Sequence, residues 1–389
     1  MILNSKMSIY KLNKEQLQAI NHKSGPLLII AGAGTGKTTV ITERVKNLIL
    51  KDNIKPEEIL ALTFTEKAAK EMEERIDIAL PYGYTQMWVM TFHSFCDKAL
   101  RDNAIHIGLD PKFKLMTQAE SIQFIRTNLF EFDLNYFRPL GNPNKFIQGM
   151  LDHFSRLQDE NITPQDYLTW VKSKTKNKNK LNSMEEKLEI QKIEELSNAY
   201  QKYDELKIKE SKFDFGDLII KTIKLFKERP NVLKEYQKKF KYVLVDEFQD
   251  TNYAQNELTI MLAGKDENLT VVADDDQAIY RWRGAAVSNV IQFRTNFPKA
   301  KIIVLTKNYR STQEILNRSY NLIQHNNPNR LEVLEKIDKK LKAIKKDSGE
   351  KIKFIFEKRV ENEADSVSEE IIKLVNNKKE KIKFRDIAI

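Results

Sequence analysis

A chain of 389 residues with 41% hydrophobic content is long enough for two or three domains with sizeable buried cores. Its longest apolar runs, such as Leu27 to Ile30 and Val243 to Val245, fall far short of the roughly 20 residues of a membrane span, and its single cysteine, Cys96, excludes an intramolecular disulfide and a thiolate metal cluster. Lysine plus arginine is 65 against 55 for aspartate plus glutamate, a net charge of +10 that favours a polyanionic partner such as nucleic acid.

The lysine runs Lys172 to Lys180 and Lys336 to Lys346 read equally well as solvated faces. Met1 to Tyr10 has no apolar h-region and no small-residue cleavage site, so a cytoplasmic address is expected.

Apolar runs bounded by turn residues at Pro26–Ile30, Ile59–Thr63, Trp88–Met90, Lys241–Val245 and Leu269–Val272 alternate with helical patterns. That alternation predicts an α/β fold built on a parallel sheet. Between about Ser94 and Asp214 the strand signal gives way to helical periodicity, with Ile193, Leu196, Tyr200 and Tyr203 at heptad-like spacing, and an all-helical insertion is expected there. After Pro298 a second strand–helix series is predicted, with strands at Ile302–Leu305, Ile352–Phe356 and Ile387–Ile389 and helices at Thr312–His325 and Glu361–Asn376. Its last strand has no following helix to cover the sheet face, so the second α/β unit is expected to be unfinished. The expected division is 1–93 with 212–297, an insertion at 94–211, and a second unit at 298–389.

The strand Leu27–Ile30 runs into Ala31-Gly32-Ala33-Gly34-Thr35-Gly36-Lys37-Thr38, a P-loop in the strand–loop–helix context that such a loop requires. Small residues let backbone N–H groups cradle phosphates, Lys37 is placed to neutralise β and γ oxygens, and the Thr38 hydroxyl to ligate Mg²⁺. Ala31 stands where the general pattern has glycine, a small-for-small change. A second predicted strand ends at Asp246-Glu247, which would set carboxylates beside the phosphates at the carboxyl edge of the sheet. Asp246 is the candidate Mg²⁺ holder and Glu247 the candidate general base. An Asn-Lys-x-Asp guanine-reading segment and a Leu-Ser-Gly-Gly signature are both missing from the chain, which disfavours GTPases and ABC-type ATPases.

Further segments carry a family resemblance. They are Leu12-Asn13-Lys14-Glu15-Gln16, Leu62-Thr63-Phe64-Thr65-Glu66-Lys67-Ala68-Ala69, Thr91-Phe92-His93-Ser94, Asp214-Phe215-Gly216-Asp217-Leu218, Val245-Asp246-Glu247-Phe248-Gln249-Asp250, Asp274 to Ala285 and Asn308-Tyr309-Arg310-Ser311. In this order, with the P-loop, they resemble the motifs of UvrD-like superfamily 1A DNA helicases over nearly the whole chain. The resemblance implies a RecA-like ATP-binding domain with a helical insertion, followed by the start of a second RecA-like domain. It implies the motor portion of a 3′-to-5′ helicase that uses ATP and Mg²⁺ to move on single-stranded DNA or at a single-strand/duplex junction. The alternative is a module that binds nucleotide and single-stranded DNA without productive unwinding.

Residue roles implied by the resemblance follow the same order. Gln16 would read the adenine edge and Tyr309 stack on the ring, while Thr39 stands where the family commonly has an arginine on the ring's other side. Gln277 would touch the γ-phosphate, and Arg310 would act as an arginine finger from the second domain. Phe64 and Trp282 would stack on DNA bases, with Thr63, Thr65, His93, Tyr280 and Arg283 contacting the strand. Ala273 and Gly216 depart from the usual glycine and aspartate.

Overall fold

The computed structural model describes residues 12–80, 87–175, 183–279, 287–345, 350–377 and 382–389. After α1 (Lys14–Ile20), the units β1 (Leu27–Ala31), α2 (Lys37–Leu50), β2 (Ile59–Thr63), α3 (Glu66–Ala79), β3 (Trp88–Thr91) and α4 (Phe92–Asn103) alternate. Next come β4 (Lys114–Leu115), α5 (Gln118–Thr127), α6 (Ile147–Asp159), α7 (Pro164–Thr175), α8 (Met184–Lys209) and β5 (Lys212–Phe213). The α/β pattern then resumes with α9 (Phe215–Glu228), α10 (Pro230–Lys239), β6 (Tyr242–Val245), α11 (Tyr253–Ala263) and β7 (Leu269–Ala273). It ends through α12 (Val287–Ile291), α13 (Phe293–Asn296), β8 (Lys301–Leu305), β9 (Lys307–Asn308), α14 (Gln313–Ile323), α15 (Leu331–Leu334), β10 (Lys342–Ala343) and α16 (Val360–Asn376).

Six strands form one sheet in the order β3-β2-β6-β7-β1-β8, and every neighbouring pair in it is parallel. Strands buried on both faces read as unbroken apolar runs, and Leu27–Ala31 and Ile59–Thr63 are buried at every position. Successive side chains go to opposite faces. Leu28, Ile30, Leu60, Leu62, Val243 and Val245 share a core with Phe95, Leu218, Phe226 and Leu258 of α4, α9 and α11. Leu27, Ile29, Ile59, Ala61, Leu244 and Val272 pack against Ala19, Val40, Val45, Leu48, Met72 and Ile76 of α1, α2 and α3 on the other. Each fully buried Leu, Ile or Val contributes roughly 1.5–3 kcal/mol, and the sheet gathers such residues on both of its faces.

The helical insertion has its own core of Met116, Phe124, Ile125, Met150, Phe154, Tyr200, Tyr203 and Leu206. α4, most of which falls within the expected insertion, gives Phe92, Phe95, Cys96, Ala99 and Leu100 to the sheet's core. The entry and exit strands β4 and β5 pair with each other, closing the insertion at its base. There the buried Lys207 of α8 donates to Asp214 Oδ2 at 2.7 Å and Asp217 Oδ2 at 2.6 Å, and Gln158 Nε2 donates to Asp214 Oδ1 at 3.0 Å. Breaking one partner of a buried ion pair leaves an uncompensated charge and is strongly destabilising. Gly216 lies against this network. A Cβ there would stand 2.2 Å from Gln158 Oε1, which accounts for glycine where the resembling family often has aspartate.

Three expected strands behave differently. Ile302–Leu305, assigned to the second unit, lies in β8 and pairs with β1, because Ile303 and Leu305 complete the face that holds Leu27 and Ile29. The six-stranded sheet therefore takes in a strand past residue 298. Ile352–Phe356 and Ile387–Ile389 form no strand. Ile352, Phe354 and Phe356 are exposed, and an isolated extended segment has no ladder to join. Beyond β8 the ladder that forms among the described residues is the two-stranded pair of β9 and β10. Among the described residues no helix is long and apolar enough to cross a membrane.

Candidate active site

Because all six strands of the sheet are parallel, the loops that follow them leave from one edge, where α/β folds place their sites. β7 lies between β1 and β6, so the segment after β7 falls between the P-loop and the Asp246-Glu247 pair.

Gly34 and Gly36 adopt φ of +78° and +89°, a region that residues with a Cβ rarely enter, and α2 starts at Lys37. Ala31 closes β1 fully buried, so its methyl fills core space without disturbing the turn. The loop is knit by Thr35 Oγ1 donating to Gly32 O at 2.7 Å and by Gln16 Nε2 donating to Thr35 O at 3.0 Å. Gln16 Oε1 accepts from Asn13 N at 3.0 Å in a capping box that starts α1. The amide expected to read a nucleobase edge thus also braces the P-loop. α1 is anchored in turn by the buried Arg44, whose guanidinium donates to Ala19 O at 3.0 Å and to Thr270 Oγ1 at 3.0 Å.

Lys37 Nζ lies 2.5 Å from Glu247 Oε2 and 3.4 Å from Gln277 Oε1, so three candidates from three loops meet at one ammonium. Glu247 has φ +49°, a left-handed conformation that costs a non-glycine residue on the order of 1 kcal/mol or more. Its Oε2 also accepts from Gln249 Nε2 at 2.7 Å. Asp246 is buried beside it and accepts from Glu247 N at 3.0 Å. Burial, and then the neighbouring Glu247 carboxylate, push the Asp246 carboxyl up to about 6. Thr38 follows Lys37 in the first turn of α2. A buried carboxylate crowded by a second, with a hydroxyl-bearing residue in the adjoining first helical turn, is a donor set that suits a hard divalent cation. Asp274, Asp275 and Asp276 also offer oxygens within 4.8 Å of one another, but Lys339 Nζ already sits among them.

The segment after β8 reaches back over the P-loop. Tyr309 N donates to Gly34 O at 2.9 Å, Asn308 Nδ2 to Ala33 O at 2.6 Å, and Asn13 Nδ2 to Tyr309 Oη at 3.1 Å. A Cβ on Gly34 would lie 2.6 Å from Arg310 Cβ, so Arg310 stands against the loop with its side chain exposed. Thr39 lies 3.9 Å from the same construction at Gly36, where Gln16 approaches to 2.9 Å.

On the neighbouring strands, Thr63 and Thr91 are register partners, which brings the segments 63–65 and 91–94 side by side. Thr65 caps α3 by accepting from Ala68 N, and Thr63 Oγ1 donates to Thr65 O at 3.1 Å. Glu66 Oε1 ties the two segments, accepting from Thr91 Oγ1 at 2.8 Å and Ser94 Oγ at 2.7 Å. Phe64 is half-buried. His93 meets Phe215 edge to face at 5.8 Å, and burial, opposed by Glu66, lowers its pKa. The ring is therefore neutral at pH 7 and offers hydrogen bonds rather than charge. Tyr280, Trp282 and Arg283 lie outside the described residues. Asn13, Glu66, Gln249, Asn308 and Lys339 received no role in the sequence reading. The first four lie inside the quoted motifs, where only position within the motif could have drawn attention to them.

The Asp246 carboxyl has a testable consequence. Its folded pKa of about 6 exceeds the ordinary 3.8, so the folded chain holds the extra proton between these values and the ionised form costs stability above about pH 6. Asp246→Asn is expected to stabilise the nucleotide-free chain at pH 8 by on the order of 2–3 kcal/mol and to leave it unchanged near pH 3.5. Denaturant melts at the two pH values check this, and a less stable variant at pH 8 would contradict it.

Comparison with known proteins gives the same direction. Residues 12–298 match the UvrD/REP helicase N-terminal domain and residues 303–389 the UvrD-like helicase C-terminal domain. The chain is 39% identical over 320 residues to the ATP-dependent DNA helicase PcrA of Bacillus subtilis, covering 82% of this chain and 40% of the relative. With the PcrA of Staphylococcus epidermidis it shares 36% identity over 383 residues, covering 98% and 48%. With a probable DNA helicase II homolog of Rickettsia felis it shares 37% over 379 residues, covering 96% and 53%. The chain spans about half the length of these curated relatives. With two family domains matched in sequence over a parallel α/β core of the expected class, the chain belongs to the UvrD/REP helicase family.

Proposed function

We propose that this chain is the N-terminal motor portion of an ATP-dependent DNA helicase that moves 3′ to 5′ along single-stranded DNA. The observation that carries the reading is the meeting of Lys37, Glu247 and Gln277 at the P-loop, with 2.5 Å and 3.4 Å contacts to one ammonium. Its domain division is the one expected from the sequence, with α4 and β8 moved into the first lobe.

In this reading the P-loop amides of 32–36 and Lys37 hold the phosphates, and Gln16, Thr39 and Tyr309 surround the base. Thr38 and Asp246 would hold Mg²⁺, which when bound supplies charge neutralisation at the phosphate oxygens. Lys37 exchanges its contact with Glu247 for the β and γ oxygens, which frees the Glu247 carboxylate to accept a proton from water. As the water oxygen bonds to the γ-phosphorus, the bond to the β,γ-bridging oxygen breaks and ADP leaves. Gln277 reports the γ-phosphate, and Arg310 stabilises charge on the transferring group. Thr63, Phe64, Thr65 and His93, with Tyr280, Trp282 and Arg283, form the strand-binding track, in which stacking tolerates any base.

Lys37→Ala is expected to lower nucleotide affinity about 10–100-fold, measured with a fluorescent ATP analogue. With ATP and Mg²⁺ the wild-type chain is expected to open a duplex bearing a 3′ single-stranded tail and not one bearing a 5′ tail. Opening from the 5′ tail would reverse the polarity. Binding to both without opening either would support the nucleotide- and DNA-binding module instead.

A further inference from the structure

We propose that Lys339 is a positioning residue for the nucleotide site, fixing through Asp274 the orientation of the Gln277 amide. The inference rests on the reading that Gln277 faces the γ-phosphate. Lys339 is buried, and its Nζ donates to Asp274 Oδ1 at 2.8 Å, Asp275 Oδ1 at 2.5 Å and Asp276 Oδ2 at 2.8 Å. The second oxygen of Asp274, Oδ2, accepts from Gln277 Nε2 at 2.6 Å. An ionised carboxylate can only accept, so it selects the nitrogen end of the amide and turns Oε1 toward Lys37, 3.4 Å away. The Asp274 carboxylate is held in this role because the buried ammonium on its other oxygen fixes its plane. With the ammonium removed, the Asp274 and Asp275 carboxylates would repel one another with no cation between them, and the plane that orients the Gln277 amide would no longer be fixed.

The chain bearing Lys339 belongs to the segment beyond β8, and the same segment touches the site at other points. Arg330 forms a fork on Asp276 with contacts of 2.8 Å and 2.7 Å, and Leu331 N donates to Asp275 Oδ2 at 2.8 Å. Leu341 Cδ1 would lie 2.9 Å from a Cβ on Gly32. Lys342 N donates to Thr306 O and Ile344 N to Asn308 O, both at 2.8 Å, joining β10 to the strand that leads into Arg310. One continuous segment thus links the Gln277 loop, the first glycine of the P-loop and the base of the Arg310 loop.

The test is the ratio of affinities for a non-hydrolysable ATP analogue and for ADP, each with Mg²⁺, measured by calorimetry on the full chain. Lys339→Met alone leaves Asp274 and Asp275 without the ammonium that faces them and can unfold the chain, so the working variant is Lys339→Met with Asp275→Asn, which keeps the net charge of the cluster. Gln277→Ala is expected to lower the triphosphate-to-diphosphate ratio about tenfold. The Lys339 variant is expected to lower it comparably, and combining it with Gln277→Ala should cause no further loss, because both act through one amide. A wild-type ratio in the Lys339 variant, or losses that multiply in the combination, would overturn the proposal and leave the nucleotide reading standing. An unchanged ratio in Gln277→Ala, or no nucleotide binding by the wild type, would instead overturn the reading beneath it.

Discussion

Glu247→Gln is expected to lower ATP turnover by about 10²–10⁴-fold while nucleotide binding persists. The substitution preserves shape and one acceptor oxygen, so Gln249 Nε2, now 2.7 Å from Glu247 Oε2, keeps a partner. What is lost is the capacity to take a proton from water. The backbone at this position is held left-handed, at φ +49°, between the buried Asp246 and Phe248. Strain of this kind persists where surrounding structure over-determines a conformation, and it is concentrated at functional sites. Steady-state turnover beside equilibrium nucleotide binding checks the expectation. Unchanged turnover would remove Glu247 from the chemistry, and joint loss of binding and turnover would make it a phosphate-site residue only.

Arg310→Ala is expected to have a comparable or larger effect, about 10³–10⁵-fold on the rate of the chemical step, with a small change in nucleotide affinity. The backbone before it is anchored to the P-loop by Tyr309 N on Gly34 O and Asn308 Nδ2 on Ala33 O. Asn308 Oδ1 further accepts from Arg310 N at 2.9 Å and Ser311 N at 2.7 Å. An exposed guanidinium on so constrained a backbone can swing onto a transferring phosphoryl group without refolding its loop. Arg310→Lys should recover part of the rate, since it restores charge without the planar fork. Single-turnover hydrolysis separates this step from product release, and a loss below tenfold in Arg310→Ala would show that the arginine does not stabilise the transition state.

The P-loop and the acidic pair of the candidate site were legible because their signals are local. Gly34, Gly36 and Lys37 sit within four residues of one another at the end of an apolar run, and the acidic pair likewise ends a run, so period and punctuation located both. The parallel sheet was legible for the same reason, since strands buried on two faces must be apolar throughout. The C-terminal strands were misread because Ile352–Phe356 is an apolar-rich run of strand length that pairs with no other strand among the described residues, and pairing is a property of the whole fold. That β8 pairs with β1 was not legible, because spacing along the chain does not say which edge a strand joins.

Lys339 illustrates the deeper limit. It lies in the run Lys336–Lys346, whose composition gives every lysine the same solvated reading, yet its ammonium is enclosed by Asp274, Asp275 and Asp276. Those carboxylates come from 63–65 residues away in sequence, and only the fold brings the charges together. Gln16 shows the converse. Its place in a quoted motif pointed to the nucleotide, while its bonds to Thr35 O and Asn13 N give it a bracing role that the motif alone does not contain.

The most direct test of the account is ATP turnover by this chain with and without single-stranded DNA, with Glu247→Gln as the blank. The account predicts turnover above the blank that rises when DNA is added, because the 63–65 and 91–94 segments leave the same sheet edge as Lys37, Glu247 and Gln277. Turnover above the blank that is indifferent to DNA would contradict the coupling of the two sites.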